Sequence, residues 1–138
     1  MADLSQRQKL EQGRAAFAFT KAVDGYNAHR AEYAPVVRKV PMMIKTNGLG
    51  AALAFMYSKG KVLGTIRQHI EAWVESPDNL KTHLIMREAS GKNFVEQIMN
   101  LNSQEYRIVT IEVLAFLMWL SRFSDGIVKE RNAEEEKK

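Results

Sequence analysis

The sequence predicts an all-α protein: a single-domain helical bundle of six or seven helices ending in a long, very apolar C-terminal helix. Apolar residues recur at spacings of three and four through most of the chain, the period of one helix face. No stretch alternates apolar and polar residues toward a hairpin turn. Asn47-Gly48, Lys59-Gly60, Ser76-Pro77 and Ser90-Gly91 cut the chain into helix-sized pieces.

From Asp3 to about Asp24, Leu10, Phe17, Ala15, Ala18 and Ala22 form one apolar stripe; Ser5 and Gln8 have the spacing of a weak capping box, and Gly25 ends or loosens the helix. Pro35 suits a first helical turn, where its missing N–H is unbonded anyway. Pro41 predicts a kink or restart, because it lacks a donor and disfavours helical backbone at Val40. Asn47-Gly48 is a stop that tolerates positive φ, and Leu49 to Tyr57 is a short apolar helix. Val62, Ile66, Ile70 and Trp73 mark an amphipathic helix with Arg67 and Glu71 paired on its outer side. Leu80 to Ala89 is a weaker helix, and Asn93 with Glu96 caps the next one. The last helix carries Tyr106, Val109, Val113, Phe116, Leu120, Phe123 and Ile127 in strict alternation of three and four. Ile111, Leu114, Leu117, Met118 and Trp119 widen its apolar face to almost the whole circumference.

At 138 residues, 46% of them hydrophobic, the chain can bury a core without disulfides. Residues 1–128 read as one domain and 129–138 as a charged tail that frays. The absence of cysteine excludes thiolate metal sites and suits a reducing compartment. The N-terminus lacks the apolar core of a secretory signal, and Val113 to Leu120 is far shorter than the roughly 20 residues of a membrane helix, so a cytoplasmic protein is expected.

Candidate chemistry is sparse. Gly48-Leu49-Gly50 resembles the start of a dinucleotide fingerprint, but Leu53 stands where a third small residue is needed and no strand pattern precedes it. A helix joint is the plainer reading; a third leaves the helix start beside Lys45 free to hold one phosphate. His29, His69 and His83 lack ligand-type partners at metal-binding spacing, and no nucleophile elbow occurs. Glu71 and Glu75 read as solvated surface beside Arg67, and Glu134 to Glu136 lie in the tail. Neither an enzyme nor a cofactor is expected.

The charge distribution carries the lead. Between Tyr33 and Ile70 there is no Asp or Glu, while Arg38, Lys39, Lys45, Lys59, Lys61 and Arg67 supply +6, more than the whole chain's net +4. Such a segment makes a phosphate-backbone track or merely a solvated face. With few exposed aromatics evident, contact with backbone rather than bases is expected.

Three blocks add a resemblance: LEQGRAAFA at 10–18, VPMMIKTNGLGAALAFMYSKG at 40–60 and EYRIVTIEVLAFLMWLSRF at 105–123, together 49 of the 138 residues. They resemble the small α-helical subunit of the Cmr-type, or type III-B, CRISPR effector complex. The resemblance implies a non-catalytic subunit that stacks with copies of itself beside other Cmr subunits, along the guide RNA and target RNA duplex. By position it places Lys45, Lys59, Arg107 and Arg122 near RNA; Lys39, Lys61 and Arg67 join them on charge alone. Tyr106, Thr110, Glu112 and Trp119 look structural, with a subunit contact as a second reading for Arg107 and Glu112. Ile111 stands where relatives often carry Arg, which favours a protein interface at that point. The rival reading is a purely structural adaptor whose apolar last helix docks a protein without nucleic-acid contact.

Overall fold

The last helix organises the molecule. In the computed structural model, which describes residues 2–137 and side-chain surroundings from residue 5, it runs from Ser103 to Glu136 as α7. Before it come α1 (Ala2–His29), a 3-10 turn at Arg30–Glu32, α2 (Tyr33–Asn47), α3 (Leu49–Lys59), α4 (Lys61–Glu75), α5 (His83–Glu88) and α6 (Phe94–Met99). No strand occurs among the described residues, so the all-α reading holds.

Helices α1 and α2 both pack along α7, with α4 closing the far side of the core and α3 lying on α2, α4 and α6. Val109, Val113, Phe116, Leu117 and Leu120 of α7 are fully buried, each contributing about 1.5–3 kcal/mol of apolar burial. Phe17 of α1, Trp73 of α4 and Phe116 of α7 form an aromatic centre, with Phe17 5.1 Å from Trp73 and 6.2 Å from Phe116. Its polar edge is Glu112, which is 1% exposed. Arg14 donates to both its carboxylate oxygens, Nε at 2.7 Å and Nη2 at 2.8 Å, and the Trp73 indole N–H donates at 3.0 Å. The hydrogen bond to Glu112 raises the Arg14 pKa further above its ordinary value.

A second buried pair joins α2 to α4. The Tyr33 hydroxyl lies 2.6 Å from Nδ1 of His69. Burial, with Lys21 adding to it, pushes His69 down to about 4, so at neutral pH a neutral imidazole shares this hydrogen bond with the Tyr33 hydroxyl. Burial also raises the Tyr33 pKa.

Several local expectations are corrected. Gly25 does not end α1, which continues to His29. Its role is close approach: a Cβ there would sit 2.4 Å from the Tyr33 ring. Ser5 and Gln8 lie inside α1, which already begins at Ala2. Pro41 neither breaks nor restarts α2; its missing donor costs one internal bond, while Val37, Val40 and Ile44 stay buried around it. Helix α5 starts at His83 rather than near Leu80, because the preceding turn serves α4: Asn79 Nδ2 donates to the Trp73 carbonyl at 3.2 Å and Thr82 Oγ1 to that of Val74 at 2.7 Å.

The C-terminal helix is long but not very apolar. Its extra apolar width is partly surface, since Ile111 and Met118 are 56% and 55% exposed. Glu105, Arg107, Arg122 and Asp125 interrupt it, and among the described residues no helix is long and apolar enough to cross a membrane. Where a frayed tail is expected, α7 continues to Glu136 with residues 129–136 exposed.

Candidate nucleic-acid interface

Five of the predicted cations assemble beside α2, on opposite flanks of it. Its buried side carries Tyr33, Val37, Val40 and Ile44, and Met42, 65% exposed, stands on the crest opposite them. On one flank, Lys39 joins Lys59 and Lys61 around a groove of about 580 Å³ between α2, α3 and the start of α4. Val36, Met43, Phe55, Val62 and Leu63 give that groove an apolar lining. On the other flank, Lys45 of α2 and Arg122 of α7 bound a groove of about 480 Å³ lined by Pro41, Ile111, Leu114, Leu117 and Met118. Arg107 lies one turn before Ile111 on the same face of α7 and is exposed.

The glycine stops make this possible. Gly48 with φ 89° ends α2 and turns the chain directly into α3, so the two helices lie side by side. Gly60 with φ 64° does the same between α3 and α4. Lys61, a non-glycine residue with φ 52°, is held in left-handed backbone at the groove rim.

The segment free of acids in sequence is not free of them in space. Asp125 of α7 pairs with Arg38, and Glu71 pairs with Arg67 at 3.1 Å while the Arg67 guanidinium lies 5.2 Å from the Tyr57 ring centroid. Arg67 is therefore a half-buried, neutralised cation. Among the described residues no ion pair engages Lys39, Lys45, Lys59, Lys61, Arg107 or Arg122, and all six are exposed. The Asp125 contact was invisible to sequence reasoning because 87 residues separate it from Arg38.

The start of α3 is partly taken up by the fold itself. Gly50 N–H donates to the Tyr106 hydroxyl at 2.7 Å, Leu49 and Gly50 are buried, and a Cβ on Gly50 would meet Met99 Sδ at 2.7 Å. The glycine step is a helix joint packed under Tyr106 and Met99. Tyr106 and Glu112 act inside the fold, as does Thr110, whose hydroxyl donates to the Tyr106 carbonyl at 2.8 Å; Glu112 is buried on Arg14 and Trp73.

The exposed aromatics are the feature sequence reasoning missed. Phe55 is 43% and Tyr57 58% exposed, each with a cation over its ring. The signal was present, since the three residues Phe55, Met56 and Tyr57 cannot all face inward on one helix.

The profile of the CRISPR-associated Cas_Cmr5 protein family matches residues 10–127, nearly the whole described fold. This chain belongs to that family. A Cmr5-family relative, the CRISPR system Cmr subunit Cmr5 of Thermus thermophilus, is 30% identical over 101 residues, covering 73% of this chain and 79% of the relative. The match spans both flanks of α2, so the Cmr5-family region includes the lysine groove as well as the α2/α7 groove.

Proposed function

We propose that this chain is a non-catalytic small subunit of a type III-B CRISPR ribonucleoprotein, stacking with copies of itself and other Cmr subunits along the guide RNA and target RNA duplex. It contacts the RNA backbone through Lys39, Lys59 and Lys61. The observation that carries the RNA contact is the convergence of these three unpaired lysines from α2, α3 and α4 on one groove. Family membership and the likeness to a Cmr subunit of Thermus thermophilus support the assembly. The histidines support a structural rather than catalytic chemistry: His69 is held on Tyr33, His29 on the Thr65 hydroxyl at 2.7 Å, and His83 on the Glu75 carbonyl at 3.1 Å. A cytoplasmic setting follows from such an assembly.

Anisotropy with single-stranded and guide-paired RNA at two salt concentrations tests the reading. The wild-type protein binds weakly, without sequence preference and less tightly at higher salt. Charge reversal at Lys39, Lys59 and Lys61 together flattens the slope of log affinity against log salt by about 2 on single strands. Unchanged binding and unchanged target retention in the assembled complex would remove the basic track.

A second reading belongs to the other groove. Ile111 and Met118 expose apolar surface beside Lys45, Arg107 and Arg122, which suits a protein subunit better than a nucleic acid. That reading, the adaptor without RNA contact, predicts a complex that RNase treatment leaves intact and that an Ile111→Glu substitution weakens.

A further inference from the structure

The lysine groove does not end at Phe55. A second hollow of about 510 Å³, lined by Met43, Asn47, Ala51, Ala52 and Phe55, continues along the α2/α3 cleft. Met43 and Phe55 line both hollows, so the Phe55 ring is a partition inside one longer cleft. No acidic residue lines either part. The three lysines gather at one end, with Lys59 Nζ 5.3 Å from the Phe55 ring centroid. At the other end the polar lining side chain is Asn47, which is exposed.

A polyanion that needed only backbone contacts would be served by lysines on a flat surface. Here the cations instead rim an apolar slot with an aromatic wall, the combination that holds a single strand by stacking one base while its phosphates are neutralised. Charge complementarity selects the occupant: a neutral apolar ligand leaves three ammonium groups unused.

We propose that the α2/α3 cleft takes one unstacked nucleobase of the bound RNA against the Phe55 ring, with the flanking phosphates on Lys39, Lys59 and Lys61. This rests on the RNA-contact reading above. Asn47 supplies a single hydrogen-bonding side chain at the end away from the lysines, too little to read sequence, so the slot tolerates any base. Lys59 leaves the ring for a phosphate when the base arrives, which keeps the uncharged ring face covered in the free protein.

Equilibrium binding of the full chain to a short oligoadenylate and to an abasic ribose-phosphate strand of equal length tests the slot. Wild type prefers the base-bearing strand by about fivefold or more. Phe55→Leu loses that preference while keeping its affinity for the abasic strand and its salt slope, and Phe55→Trp keeps or raises it. Phe55 is exposed enough that both variants fold, which thermal melts verify. Equal wild-type affinity for the two strands overturns the stacking slot and leaves the backbone track standing. Binding of neither strand removes both. A preference that survives in Phe55→Leu, with weakened association to other Cmr subunits, overturns the slot by making the cleft a protein socket.

Discussion

Glu112 is 1% exposed and depends on two donors from distant parts of the chain, Arg14 and Trp73. Removing one partner strands a buried charge, which is far more costly than the net value of the pair. Arg14→Ala therefore destabilises by about 3–5 kcal/mol in urea unfolding, whereas Arg14→Met with Glu112→Leu loses much less. His69 adds a pH term. Its ordinary value of 6.5 applies to the unfolded chain, and burial holds it at about 4 in the fold. Between those values the unfolded chain binds a proton that the folded chain refuses, so this contribution is full above about pH 6.5 and is lost as pH falls toward 4. The loss is on the order of 1–3 kcal/mol. His69→Gln, which keeps a neutral hydrogen-bonding side chain toward Tyr33, flattens the dependence of the urea midpoint on pH over that window. Neither site was legible in full: the resemblance marked Glu112 as structural, but nothing in local spacing ties it to an arginine 98 residues away.

Helix boundaries show what local sequence encodes and what it does not. Gly48 and Gly60 stop helices as expected because their positive φ is a backbone requirement written at the position itself. The Asn93 cap is local too, its side chain accepting from Glu96 N–H at 2.9 Å. Asn102 and Glu105 form a full capping box at the start of α7, with the same Asn-x-x-Glu signature, though the first apolar residue drew attention to Tyr106 instead. Gly25 misled because a helical glycine looks like a breaker until the Tyr33 ring is seen against it. Two substitutions separate these roles. Gly25→Ala pushes a methyl into that ring and lowers stability by about 1–3 kcal/mol, while Gly64→Ala in α4, with nothing within 4 Å of its new Cβ, raises it by about 0.5–1 kcal/mol. Thermal melts of the pair give opposite signs.

At the scale of the whole molecule the all-α class was legible because helical period, breakers and the absence of strand patterning agree. The charge map was legible only as a sum. Six cations on one acid-free segment became three lysines on one groove, one lysine on the other, and two arginines answered by Asp125 and Glu71. What lines a groove is a property of how helices meet, and periodicity within a helix does not contain it. The seam between α1 and α7 reaches further. Arg14 meets Glu112, Phe17 meets Phe116 and Phe19 meets Phe123, so α1 finds its main partner in α7, which is synthesised after every other element described. A ribosome that has delivered α1 through α6 has delivered a chain whose central column is missing. Completion of the core waits for α7 to emerge, and until then Phe17 and the side chains around it stand open to whatever holds nascent proteins apart.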